Sequence, residues 1–241
     1  MNFVKYLNKS INLPKNWLAF KSTFLIPLLS SLFCMFVMVF VITPVGGWIN
    51  LQIRALLEAA GAAGQFAYAL VLSATTAFDL GGPVNKAAGF VALGFTTEKV
   101  LPITARTIAI VTPSIGLGLS TLIDKKLVGR RVYNSEFYDA GKTSIFLAFM
   151  GISEGAIPFA LENPGFTIPL YVVSSVIGAF SGIALGAVQW FPESAVWAWP
   201  LVKNLPAYMI GIAVGSIIIA VCNVLYRNKL IKDGKLEVDE Y

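Results

Sequence analysis

Apolar stretches close to the ~20 residues that cross a bilayer as a helix recur from one end of the chain to the other, and no other feature constrains its fold as tightly. They cover Phe24–Thr43, Ala62–Phe78, about Leu101 to Ile123, and roughly 143–160, 167–190 and 205–226. Inside hydrocarbon every backbone N–H and C=O needs a partner within the protein, and a helix supplies one for each. The first run lies too late and runs too long for a cleaved leader, and no small-residue cleavage site follows it. Charged residues make up 13% of the chain and hydrophobic ones 56%, against about 25% charged in a soluble domain. The expected fold is all-α: a polytopic integral membrane protein with about six transmembrane helices plus re-entrant or broken-helix segments.

The charges mark out the segments. Residues 1–21 carry Lys5, Lys9, Lys15 and Lys21 and no acid, and form an expected cytoplasmic flank. Residues 22–226 form the membrane domain, and 227–241 a polar tail. Within the domain, 124–142 reads as an aqueous cytoplasmic loop bearing Lys125, Lys126, Arg130, Arg131 and Lys142. Residues 48–60, "WINLQIRALLEAA", are amphipathic and suit a helix at the interface anchored by Trp48. With flank, loop and tail on one side, each block between them must cross an even number of times. One run of the second block must then enter and leave on the same side, and 151–159 is the candidate. In the first block the short stretch 87–95 either crosses or pairs with the polar motif before it. Both polar motifs thereby fall on broken backbone, which membranes tolerate only where protein or a water-filled cavity surrounds it.

Several chemistries are excluded. The chain has no histidine, so imidazole acid–base catalysis, phosphohistidine and His-ligated metal are ruled out. Cys34 and Cys222 stand singly inside apolar runs and read as packed hydrophobes. A net charge of +5 fits basic cytoplasmic loops; no aromatic-plus-basic platform for nucleic acid is present, and neither a metal nor a cofactor is expected.

Two polar motifs remain. In "AFDLGGPVNKAAGF" (77–90), Gly81 and Gly82 allow a turn and Pro83 suits the first position of a new helix. That helix would aim free N–H groups at whatever occupies the cavity. Asp79, Asn85 and Lys86 add an acceptor, a mixed amide and a cation, a set suited to reading sugar or polyol hydroxyls. An Asp–Lys pair stitching two helix ends is the structural alternative. In "GISEGAIPF" (151–159), Glu154 is the single acid of its run and can accept the proton of an attacking hydroxyl; otherwise it pairs structurally with Lys86 or Arg106. Arg106 reads as a helix-to-helix or interface contact rather than a ligand, Asn163 and Pro164 as turn residues. Gly178, Gly182 and Gly186, and Gly211 with Gly215, read as close-packing helix faces.

"AFDLGGPVNKAA" followed by "GISEGAIPFA" resembles the membrane-embedded IIC component of the bacterial sugar phosphotransferase system, in its fructose–mannitol family and fructose-type branch. The resemblance runs from about Leu18 to about Leu225. It implies a multi-pass permease of the bacterial inner membrane, surrounded by lipid, that moves a fructose-type sugar or polyol coupled to its phosphorylation. The phosphoryl group would come from a separate IIB domain acting in trans, docking on loop 124–142, so the chain would be the permease part of a protein-phosphocysteine–sugar phosphotransferase. Asp79, Gly81, Gly82, Asn85, Lys86, Ser153 and Glu154 would line the sugar site, with Glu154 the catalytic group at the reacting hydroxyl. The chain would work as a homodimer or be completed by another IIC chain.

The chain departs from the family pattern in three respects. Family members carry further spans before the first motif, so the chain is expected to lack the N-terminal part of the domain. The histidine-bearing stretch of the family is replaced by "QWFPESAVWAWP" (189–200), where Glu193 is the nearest acid. The IIA and IIB domains are expected to lie on other chains. The alternatives are a non-phosphorylating sugar or polyol carrier, or an inactive shortened paralogue with an assembly role.

Overall fold

The computed structural model describes residues 2–238. Every regular element is helical: α1 (Asn2–Ser10), α2 (Leu18–Phe20), α3 (Ile26–Val37), α4 (Thr43–Phe78), α5 (Pro83–Thr97), α6 (Thr104–Val128), α7 (Ser135–Phe149), α8 (Ile157–Glu162), α9 (Pro164–Ala184) and α10 (Leu205–Lys232). Among the described residues four helical stretches are long and apolar enough to cross a membrane: Leu18–Val45, Thr104–Val128, Pro164–Ala184 and Leu205–Lys232. The chain is thus an all-α polytopic membrane protein. It divides into two compact units, Met1–Ala59 and Ala60–Tyr241.

In the first unit, wide turns at Lys21–Leu25 and Met38–Ile42 join α2, α3 and the start of α4 into one helical stretch. Phe24, Leu32, Phe36, Val39, Phe40 and Ile42 are all exposed. A helix that is apolar all round finds its favourable surroundings in lipid rather than water. Lys21 is buried and donates to the carbonyl of Asn8 at 2.6 Å.

Segment 48–60 is not a separate interfacial element. It forms part of α4, which runs unbroken from Thr43 to Phe78. Gly61 and Gly64 each weaken a helix by about 1 kcal/mol without ending it, and no proline follows Pro44 in this stretch. The side chains of Ile53, Arg54, Leu56, Leu57 and Glu58 lie outside the described residues.

The second unit is built on α6, α9 and α10, with α7 against α6. Small residues set these distances. A Cβ on Gly178 of α9 would lie 2.6 Å from the Gly211 carbonyl of α10, and one on Gly211 would lie 2.7 Å from the Gly178 carbonyl. The predicted close packing is therefore present at Gly178, Gly182, Gly211 and Gly215. Gly186 does not share it: it lies past the end of α9 at φ 89°, in the turn toward Ala187.

The segment read as loop 124–142 contains the last turn of α6, a connection at 129–134 and the first half of α7. Buried polar groups fix that connection. The Asp124 carboxylate accepts from the Val132 amide at 3.0 Å and from the Tyr138 hydroxyl. Tyr133 shares a 2.6 Å hydrogen bond with Ser120 and accepts from Asn223 at 3.0 Å. Arg227 of α10 donates to the Val132 carbonyl, pairs with Glu162 and lies 4.2 Å over the Tyr133 ring. Burial pushes the Tyr133 hydroxyl well above its ordinary pKa.

Candidate functional site

The first motif breaks its helix where the residues predicted a break. α4 ends at Phe78, Leu80 and Gly81 take φ of 47° and 96°, and α5 starts at Pro83. Only glycine adopts the Gly81 conformation without strain. The N-terminal amides of α5 are not all left for a ligand. Asp79 reaches forward to accept from the Val84 amide at 2.7 Å and the Asn85 amide at 2.9 Å. A carboxylate there satisfies two orphan donors and complements the positive end of the helix. Gly82 gives it room, since a Cβ on Gly82 would stand 2.5 Å from Asp79 Oδ2.

Asn85 faces inward. It is buried, donates to the Thr76 carbonyl at 2.6 Å and accepts from Arg106 Nη2 at 3.1 Å. Arg106 thus makes the helix-to-helix contact read from sequence, between α6 and α5. Lys86 is exposed and donates from Nζ to the Gly81 carbonyl at 2.9 Å. It therefore braces the same turn whose following amides Asp79 holds.

The second motif is also broken backbone. Gly151 takes φ 77°, residues 154–156 form a single tight turn, and α8 restarts at Ile157 with Pro158 in its first turn. Two buried hydrogen bonds hold this break against the bundle: Ser114 of α6 donates to the Ser153 carbonyl, and Ser144 of α7 donates to the Ser114 carbonyl, each at 2.9 Å. Ser153 is accordingly buried. Glu154 is exposed, and its carboxylate lies against Gly81, so that a Cβ on Gly81 would overlap it. The two motifs, far apart in sequence, meet at Gly81. Tyr171 of α9 also reaches this turn, donating to the Phe78 carbonyl at 3.0 Å. Glu154 forms no ion pair with Lys86 or Arg106 among the described residues.

A cleft of about 240 Å³ adjoins this site, between α5 and the start of α6. Lys86, Gly89, Arg106, Thr107, Pro192 and Ser194 contribute to its walls. The 187–203 segment closes one side. A single bridge between Val188 and Lys203 ties its ends, and Gln189 anchors it to α6. Gln189 is buried; it accepts from the Ile103 amide at 2.9 Å and from Thr107 at 2.8 Å, while its own amide donates to Thr104 at 2.8 Å. Its side-chain amide donates to the carbonyls of Phe191 and Glu193. Sequence reasoning passed over Gln189; the signal was an uncharged amide set among aromatic and apolar residues. Glu193 is occupied locally, accepting from the Ser194 and Ala195 amides at 2.8 and 2.9 Å. Among the described residues no three His, Cys, Asp or Glu side chains cluster closely enough to hold a metal ion.

Comparison with known proteins places these motifs in a wider set. The chain is 59% identical over 236 residues to a fructose-like permease IIC component of Shigella flexneri, a match covering 98% of this chain and 57% of that protein. The fructose-like permease IIC component 1 of Escherichia coli K12 matches to the same extent. A fructose-specific EIIB'BC component of Rhodobacter capsulatus is 33% identical over 219 residues, 89% of this chain and 37% of that protein. The chain therefore spans somewhat over half the length of the first two relatives. No protein-family model matches the chain, and no solved structure matches it.

Proposed function

Since the chain belongs, over the 57% of their length that it spans, to the family of fructose-like permease IIC components of the phosphotransferase system, we propose that it forms the sugar-translocating site of such a permease, with Glu154 at the reacting hydroxyl. The observation that carries this reading is the meeting of the two motifs at Gly81, where an exposed carboxylate stands over a braced helix break. Asp79, Gly81, Gly82, Asn85 and Ser153 shape the site and hold it rigid. Lys86 and Glu154 are the charged groups presented to a ligand.

The chemistry asked of such a site is modest. A sugar hydroxyl attacks the phosphorus of a phosphocysteine carried by a IIB domain; the new O–P bond forms as the S–P bond breaks, and the thiolate leaves. Glu154 takes the hydroxyl proton, and the rest of the catalysis is positioning and electrostatics. The IIB domain acts in trans on the end of the bundle that carries Lys125, Lys126, Arg130 and Arg131. That end faces the cytoplasm of a bacterial inner membrane, and the chain works as a homodimer or with another IIC chain. The absence of histidine from the chain favours, as the second reading, a carrier that moves unmodified sugar.

Uptake of labelled fructose into proteoliposomes separates the two, measured with and without phosphorylated IIB, for the wild type and Glu154→Gln. Sugar phosphate that accumulates only with the donor, and falls by roughly a hundredfold in Glu154→Gln, supports the permease. Donor-independent movement of free fructose moves the conclusion to the carrier, and no movement of either kind overturns both.

A further inference from the structure

We infer that the cleft between α5 and α6 is an oxyanion subsite, which holds the phosphate or carboxylate group of an anionic sugar between Arg106 and Lys86. The inference deepens the reading of the same site: the sugar half of the ligand rests on that reading, and the anion half rests on the cleft alone.

Three observations carry it. The first is charge: Lys86 and Arg106 both line the cleft, and no carboxylate is among its lining residues. Of the nearby acids, Asp79 and Glu193 already accept hydrogen bonds from backbone amides, and the Glu154 carboxylate stands at Gly81, outside the lining of the cleft. The second is an unmet donor. Arg106 Nη2 is used by Asn85, but Arg106 Nη1 is buried without a hydrogen-bond partner. A guanidinium nitrogen left unpaired is costly, and Arg106, which carries it, is among the residues that line the cleft. The third is the fit of the walls. Ser194 adds a buried hydroxyl, Thr107 and Ile103 bring the first turn of α6 with its positive end, and Phe90, Leu93 and Ile110 supply an apolar floor. The planar fork of arginine matches the two oxygens of a carboxylate or phosphate, while lysine adds a point charge.

The subsite lies next to the position where Glu154 meets Gly81, and Lys86 belongs to both, since it braces the Gly81 carbonyl and lines the cleft. A sugar whose hydroxyls face Glu154 can therefore direct an anionic group toward Arg106. The same chemistry is met by a sugar phosphate and by a sugar acid, and the experiment separates them.

Titration calorimetry on the full-length chain in detergent measures binding of fructose, fructose 1-phosphate, gluconate and inorganic phosphate to the wild type and to Arg106→Gln, Arg106→Lys and Lys86→Gln. Thermal unfolding of each variant tests folding. Because Lys86 is exposed, Lys86→Gln keeps the test valid even where an Arg106 variant fails to fold. The expected result is that fructose 1-phosphate or gluconate binds roughly tenfold or more tightly than fructose. That preference falls with rising salt, is lost in Arg106→Gln and Lys86→Gln, and returns in part in Arg106→Lys. Preference for fructose 1-phosphate identifies the phosphate source, and preference for gluconate the carboxylate source.

If fructose binds but neither anionic sugar binds better, or if the preference survives both neutral variants, the subsite is refuted while the sugar site stands. Anionic binding that obeys the variants without any fructose binding refutes the neutral-sugar reading instead. Inorganic phosphate binding as tightly as the sugar phosphate overturns the sugar half, and binding of no probe overturns both.

Discussion

Gly81→Ala tests whether the closeness of the two motifs matters, because it combines two effects that a second substitution separates. Gly81 sits at φ 96°, so alanine there meets backbone strain of roughly 1–2 kcal/mol. Its Cβ would also occupy the space of the Glu154 carboxylate, 2.7 Å from that side chain's Cδ. Glu154 is exposed and flexible, so it can swing away at little cost in stability. The clash therefore leaves its mark on activity. Gly129 is the control: it has φ 77°, and a Cβ added there would meet no atom within 4 Å, so Gly129→Ala carries similar strain with nothing to displace. Both variants should unfold about 1–2 kcal/mol more easily in a denaturant series on the detergent-purified chain. Only Gly81→Ala should lose donor-dependent sugar phosphorylation, by roughly ten- to a hundredfold, as displacement of a reacting group by about 1 Å costs. Tenfold corresponds to about 1.4 kcal/mol in the barrier. Full activity in Gly81→Ala, or an equal loss in Gly129→Ala, would refute the idea that Gly81 keeps space for the carboxylate.

Gly211→Leu places a large side chain where a Cβ alone would stand 2.7 Å from the Gly178 carbonyl; it should destabilise the α9–α10 pair by about 1–3 kcal/mol, read as a lower unfolding midpoint in detergent. The Tyr133 hydroxyl titrates above its ordinary value of 10.0 because burial disfavours the phenolate. The unfolded chain then loses this proton first, so the stabilisation is complete below pH 10.0 and declines as pH rises beyond it. Unfolding measured from neutral to alkaline pH should show that decline, and Tyr133→Phe should flatten it.

Much of this architecture is legible in the sequence because the informative residues are those a membrane helix tolerates poorly. Gly81, Gly82 and Pro83 marked a break, and the structure breaks there. Gly178 and Gly211 marked a close approach, and the helices approach there. What composition does not distinguish is a charged loop from the charged faces of two helix ends. For that reason 124–142 reads as a loop although α6 and α7 occupy most of it. Segment 48–60 misleads in the opposite sense, since its amphipathic pattern describes a surface and not where the helix ends. The cleft could not be read at all: Lys86, Arg106 and Ser194 are distant in sequence, and the fold brings them together through the Arg106–Asn85 hydrogen bond and those of Gln189.

The cost of a polar residue in an apolar run says where a site is, and the accounting of its hydrogen bonds says what each residue does there. Asp79 and Glu154 look alike in sequence, both lone acids beside glycine in long hydrophobic stretches. In the structure they divide the work. Asp79 gives both oxygens to amides of α5 and so builds the helix start, whereas Glu154 rests on a turn anchored through Ser153 and keeps its carboxylate exposed beside Gly81. A carboxylate whose two oxygens already hold amides has fewer lone pairs free to receive a hydroxyl proton. One without them remains available to a hydroxyl. The same accounting separates the two amides, since Asn85 and Gln189 are both satisfied within the protein. It also singles out Arg106, whose second nitrogen is not. On the proposed reading, Glu154, Lys86 and Arg106 are the groups that would meet a ligand, and Asp79, Asn85 and Gln189 are held within the protein.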